Sequence, residues 1–111
     1  MTRSLEGRVV LVTRPLGQGG ELGRLLRERG ATAVAAPTID LHPAEDHEEL
    51  ARSVVGLAEG RFSWLVVTSR AGVEALARAG LGRMEANVAA VGEGTARALR
   101  ERGVEPALVP S

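Results

Sequence analysis

The amino-acid sequence predicts an α/β fold built on a parallel sheet, and three observations lead there. Short runs rich in Val, Leu and Ala alternate with longer segments whose apolar residues recur at helical spacing, the pattern of repeated β-α-β units. The first run, Arg8-Val-Val-Leu-Val-Thr13, is almost wholly apolar, as a strand covered on both faces must be. Leu26-Arg-Glu-Arg-Gly30 recurs unchanged as Leu99-Arg-Glu-Arg-Gly103, each copy followed by a short apolar stretch and a proline, so both mark the same helix-to-strand step. The echo fits a duplicated β-α-β unit, and equally the few residue types from which amphipathic helix ends are made.

Taken in order, the elements justify themselves locally. Arg8 to Thr13 reads as a central strand. Gly17 to Arg29 reads as a helix with Leu22, Leu25 and Leu26 on its inner face, stopped by Gly30. Thr32 to Ala36 is a second strand, ended by Pro37. Thr38 to Glu45, interrupted by Pro43, is the candidate linker or crossover. Asp46 stands three residues before Glu49, a capping-box-like start for a helix that presents Leu50, Val54, Leu57 and Ala58 before Gly60. Phe62 to Thr68 is a third strand. Ser69 can then cap a helix carrying Val73, Leu76 and Ala77, which Gly80 ends. Val88 to Val91 is a fourth strand, Thr95 to Arg102 a helix with Ala96 and Leu99 inward, and Ala107 to Val109 a short fifth strand after Gly103. About five strands and four helices are expected.

Composition narrows the function. The 111 residues, 11.6 kDa, suit one small domain that buries about two thirds of its unfolded surface. Fourteen basic residues, all Arg, balance fourteen acidic ones, so there is no overall field to draw nucleic acid or an anionic membrane. With one Phe, one Trp and no Tyr, platforms for stacking bases are missing too. The absence of Cys removes disulfides, thiolate nucleophiles and Cys-based metal sites. No apolar run approaches the roughly 20 residues of a membrane span, and Met1 to Glu6 lacks a signal-peptide profile, so a cytoplasmic protein is expected.

In an open parallel sheet, ligands bind beyond the carboxyl ends of the strands, where helix N-termini aim unpaired N–H groups. Three such ends carry suggestive residues: Thr13-Arg14-Pro15, Thr68-Ser69-Arg70 and Gly92-Glu93-Gly94-Thr95. The glycines after Pro15 suggest a dinucleotide fingerprint with Asp40 at ribose distance. However, Arg14-Pro15-Leu16 separates strand from glycine where the fingerprint needs its first Gly in the turn, so a flexible loop or an anion contact from Arg14 fits better. Ser69 reads as a helix cap that leaves other N–H groups for a ligand. Gly92 and Gly94 let a ligand approach the backbone, and Thr95 can cap the following helix or point its hydroxyl into the cleft. His42 and His47 straddle Pro43 among carboxylates and read as a solvated linker rather than a metal site. Neither a nucleophile elbow nor a Walker sequence is present.

Three stretches in order, Val10-Leu-Val-Thr-Arg-Pro15, Val67-Thr-Ser-Arg-Ala-Gly-Val-Glu-Ala-Leu76 and Val88-Ala-Ala-Val-Gly-Glu-Gly-Thr-Ala96, resemble the N-terminal half of uroporphyrinogen-III synthase. The likeness continues through Gly103-Val-Glu-Pro-Ala-Leu-Val-Pro110 and so covers nearly the whole chain. It implies a lyase of tetrapyrrole and haem biosynthesis, with flavodoxin-like lobes, that closes hydroxymethylbilane into uroporphyrinogen III while inverting the last ring, without metal or organic cofactor. The substrate would be a polycarboxylate. The threonine of V-G-x-x-T-A and the serine of T-S-x-x-G-V line the family's cleft and match Thr95, the catalytic candidate, and Ser69. The strand-end argument adds Thr13, Arg14, Thr68, Gly92 and Gly94 as substrate-binding candidates.

Two departures accompany the resemblance. Ala71 stands where many relatives carry Asn, which removes any side-chain contact from that position. Family members are also much longer, and a tyrosine often implicated in their chemistry lies in the part this chain lacks; no tyrosine occurs here. The resemblance therefore implies an incomplete N-terminal portion, partnered by a missing C-terminal half or a self-associated copy, and leaves activity of the chain alone an open question. It also implies a division: 1–37 as the first β-α-β of one lobe, 38–45 as crossover and 46–111 as part of a second lobe. The alternative is one compact flavodoxin-like domain over 1–111, a non-catalytic module for a small anionic ligand.

Overall fold

A computed structural model describes residues 6–13, 21–35, 44–82 and 84–109. Strands and helices alternate along it: β1 (Val9–Val12), α1 (Glu21–Glu28), β2 (Thr32–Ala35), α2 (Ala44–Ala58), β3 (Trp64–Val67), α3 (Arg70–Arg78), β4 (Asn87–Ala90) and α4 (Glu93–Glu101). The strands form one parallel sheet in the order β2-β1-β3-β4. β1 is central, pairing Val9 with Thr32 on one side and Val10 with Trp64 on the other, while Trp64 of β3 pairs with Asn87 of β4. The radius of gyration, 13.1 Å, is about what a single folded domain of this length requires.

The two faces of the sheet are covered unequally, and the alternation of side chains along the strands shows how. Leu11, Leu65, Val67, Val88 and Ala90 face a large core completed by Leu50, Val54 and Leu57 of α2, Val73 and Leu76 of α3, and Ala96 and Leu99 of α4. Val10, Val12, Val66 and Ala89 face the other way into a smaller cluster joined by Leu26 of α1 and by Trp64. Right-handed crossovers from a central β1 demand this, since the step to β2 and the steps through β3 and β4 run in opposite directions. Within α2, Gly56 is buried, and a methyl group there would come within 2.8 Å of the Phe62 ring. The helix gives up the stabilisation of an alanine, about 1 kcal/mol, to let an aromatic ring lie against its backbone.

Several sequence expectations shift in detail. Gly30, Gly60, Gly80 and Gly103 all take positive φ just past their helices, as helix-stopping glycines should. Leu25 of α1 is 39 % exposed and so lies off the inner face, Ala58 of α2 is exposed, and nothing is described of the Leu22 side chain. α2 already runs at Ala44, which places Asp46 inside its first turn rather than at its cap; an acidic residue there acts through the helix dipole instead. The expected fifth strand, Ala107 to Val109, reduces to a single parallel bridge between Ala89 and Leu108, so the sheet has four strands. Proline explains the difference: Pro106 and Pro110 bracket the segment and neither can donate to a ladder. Ala107 N–H and Leu108 N–H both donate to the Val88 carbonyl and Ala90 N–H to that of Leu108, and among the described residues the pairing goes no further. Of the expected crossover, Thr38 to Glu45, residues 38–43 lie outside the described residues, while Ala44 and Glu45 already belong to the first turn of α2. Among those described, no helix is long and apolar enough to cross a membrane.

Leu65 is fully buried between β1 and β4 and packs under three helices. Leu65→Ala is therefore expected to lower stability by about 2–5 kcal/mol, read from urea or thermal unfolding, whereas Val55→Ala on the exposed side of α2 should stay within about 0.5 kcal/mol.

Candidate functional site

The parallel order puts the carboxyl ends of β1, β3 and β4 side by side, and each end leads into a residue singled out from sequence. After β1, Thr13 is 1 % exposed. Its N–H donates to the Val66 carbonyl at 3.1 Å and its hydroxyl leans on the same oxygen at 3.3 Å, so part of its hydrogen-bonding capacity holds β1 against β3. Arg14 lies outside the described residues, as do Gly17, Gly19, Gly20, Asp40 and His42. His47 is exposed on α2, and among the described residues no three His, Cys, Asp or Glu side chains converge as a metal site would require.

After β3 the chain passes through Thr68, half-buried, into Ser69. Ser69 takes an extended conformation, φ −157° and ψ 158°, and its Oγ accepts from the Gly72 N–H at 3.0 Å. That is a helix N-cap, which satisfies one of the donors a helix start leaves unpaired and keeps the hydroxyl proton available. The first bond of α3 runs from Val73 N–H to the Ser69 carbonyl, so the N–H groups of Arg70 and Ala71 precede the ladder.

After β4 the turn is made by Gly92, with φ 95° and ψ 150°, a conformation closed to side chains by sterics although the space beside it is open. Gly92 occupies the N-cap position of α4 and no side chain caps this helix. The ladder starts with Ala96 N–H donating to the Gly92 carbonyl, leaving the N–H groups of Glu93, Gly94 and Thr95 ahead of it. Thr95 is thus the third residue of α4, inside the helix rather than its cap. It is one of two buried polar residues among those described, at 5 % exposure, and its hydroxyl makes no hydrogen bond among the described residues.

Ser69 and Gly94 come together because α3 and α4 pack side by side, with the Arg70 stem 3.8 Å from where a side chain on Gly94 would begin. The sequence reading placed Arg70 at this strand end but gave it no binding role; the available signal was a basic residue in the first turn of a helix whose first turn holds no acid. Farther down α4, Arg100 Nε donates to Glu105 at 3.0 Å and Nη1 lies 3.5 Å from Glu93. The hydrogen bond and charge of Glu105, with Glu93 behind them, push the Arg100 pKa up. At the other end of β4, a cavity of about 480 Å³ is lined by Met84, Ala86, Val88 and Val104 beside Arg102 and Glu105. Its surroundings are the carboxyl ends of helices, where carbonyls point outward, and that is the wrong polarity for an anion.

The family model for uroporphyrinogen-III synthase HemD matches residues 20–111. The chain belongs to the uroporphyrinogen-III synthase family. Among relatives, a porphyrin biosynthesis protein HemD of Ruminiclostridium josui is 35 % identical over 111 residues, covering 94 % of this chain and 22 % of the relative. A uroporphyrinogen-III synthase of Synechococcus elongatus is 28 % identical over 96 % of this chain and 42 % of its own length. The uroporphyrinogen III synthase structure from Thermus thermophilus superposes with a TM-score of 0.54 at 27 % identity, over 96 % of this chain and 45 % of that one. The chain therefore spans less than half the length of these synthases.

Both caps allow a stability test. Ser69→Ala should cost about 1 kcal/mol, because Gly72 N–H loses its acceptor. Gly92→Ala should cost about 1–3 kcal/mol through backbone strain, with thermal unfolding of each variant as the measure.

Proposed function

We propose that the chain supplies one lobe of a uroporphyrinogen-III synthase, converting hydroxymethylbilane to uroporphyrinogen III and water with inversion of the last ring. The observation that carries this is the pair of helix starts at Ser69 and Gly92, set side by side in a chain of this family. Helix N-termini receive carboxylates without needing net positive charge, so a neutral protein can bind a polycarboxylate there. In the reaction the C–O bond of the hydroxymethyl group breaks, its oxygen leaves as water, and the azafulvene so formed is attacked by the substituted carbon of the last ring to give a spiro intermediate. In this reading Thr95 hydrogen-bonds the departing hydroxyl, while Ser69, Thr68, Thr13, Arg14 and the Gly92–Gly94 backbone hold the linear chain in a closed shape. The reaction takes place in the cytoplasm in this reading and draws on no metal or organic cofactor.

A single lobe leaves the substrate open on one side, so the partner is a C-terminal half or a second copy of this chain. Pairing of β1 with β3 supports a lobe made from all 111 residues, since the first β-α-β shares its sheet with the later strands. The same pairing favours a second reading, a compact flavodoxin-like module that binds an anionic ligand without catalysis.

Incubation with hydroxymethylbilane, alone and with a candidate C-terminal partner, separates the two. Uroporphyrinogen III is expected from an active assembly, and isomer I alone in both mixtures would refute the catalytic reading. In that assembly Thr95→Val should slow turnover on the order of a hundredfold while shifting the unfolding midpoint little.

A further inference from the structure

We infer that Arg70 is a carboxylate anchor of this site, binding a carboxylate on the rim of the tetrapyrrole between the starts of α3 and α4. The inference rests on the functional reading above and adds a residue that neither the sequence pattern nor the family motif marks.

Arg70 is the first residue of α3, directly after the Ser69 cap. A guanidinium there sits on the positive end of its own helix dipole, and no acidic residue of that first turn offsets it. Its stem crosses the first turn of α4 at Gly94, so the charge also stands beside a second, uncapped helix start. Among the described residues it forms no ion pair or hydrogen bond. Three sources of positive potential thus converge where folding alone would separate them, and an arrangement that breaks local rules without structural gain marks a functional position.

Thr95 points to a ligand independently. Its residue is 5 % exposed and its hydroxyl has no partner among the described residues, yet among them no buried side-chain nitrogen or oxygen is both sealed from solvent and unpaired. The hydroxyl therefore keeps an opening. Side chains on a helix lean toward its N-terminus, so that opening lies at the mouth of α4 beside Arg70. The carboxylate that would oppose an anion there is Glu93, and its Oε1 is drawn to Arg100, two turns along α4. The planar fork of a guanidinium matches a carboxylate bidentately, with the N–H groups of Glu93, Gly94 and Thr95 facing the same space.

The test is equilibrium dialysis of the full chain against uroporphyrinogen III under anaerobic conditions, with bound ligand read after oxidation to the coloured porphyrin. Arg70→Gln should weaken binding roughly tenfold at low salt, with a smaller difference at high salt, and Arg70→Lys should recover part of the loss. Unfolding of Arg70→Gln should match or slightly exceed the wild type, because a cation leaves a helix start. Arg78→Gln, at the far end of α3, should bind like the wild type. Wild-type affinity in Arg70→Gln, with Thr95→Val weakened, would overturn the anchor and leave the site standing. An equal loss in Arg78→Gln would also overturn it, by showing a general charge effect. No saturable binding by the wild type would overturn both the anchor and the functional reading.

Discussion

The register between β1 and β3 is the constraint on which the rest of the molecule hangs. Ser63 N–H donates to the Val9 carbonyl at 2.7 Å at one end of the pairing, and Thr13 closes the other end on the Val66 carbonyl. A parallel ladder fixed at both ends cannot slide, because a slip of β3 by one residue against β1 would turn Leu65 out of the large core and Val66 into it. With that register set, β4 follows β3 in step, and the turns at Ser69 and Gly92 arrive at the same height. The side-by-side helix starts are a by-product of sheet geometry, and the proposed binding chemistry needs no further machinery to bring them together.

Much of this was legible because the relevant physics is local. Val9 to Val12 is apolar at every position, and only a strand buried on both faces tolerates that. Ser69 announces its cap by residue type, and Gly30 and Gly103 announce their stops. What escaped depended on distance in the chain. Leu25 has the same chemistry as Leu26, but only the angle at which α1 meets the sheet decides which is covered. Thr95 was read as a possible cap because its type fits that role; the backbone turns three residues earlier, at a glycine whose positive φ no propensity scale records. Arg70 stood in a strand-end triplet without a role, because its neighbour Gly94 lies 24 residues on in the chain and only the packing of α4 brings it close.

The proposed polycarboxylate site is compatible with a net charge of zero. Charges spread evenly over a small surface are screened within about 10 Å, so the sum over the chain says little about any one turn. What matters is the few ångströms at each helix start, where partial charges of fixed orientation face outward and the carboxylate that opens α4, Glu93, lies within ion-pair distance of Arg100. Such a site discriminates by shape as much as by sign.

The contact of Gly56 with Phe62 carries a consequence for the history of the sequence. A helix glycine that any surface comparison would mark for replacement by alanine is held in place by a ring on the next strand's approach, 2.8 Å from the missing methyl. The two positions form one epistatic unit: a larger residue at 56 becomes accessible only after Phe62 has shrunk, and a smaller residue at 62 leaves a void until 56 grows. A relative that carries alanine at position 56 is therefore expected to carry a smaller residue than phenylalanine at position 62.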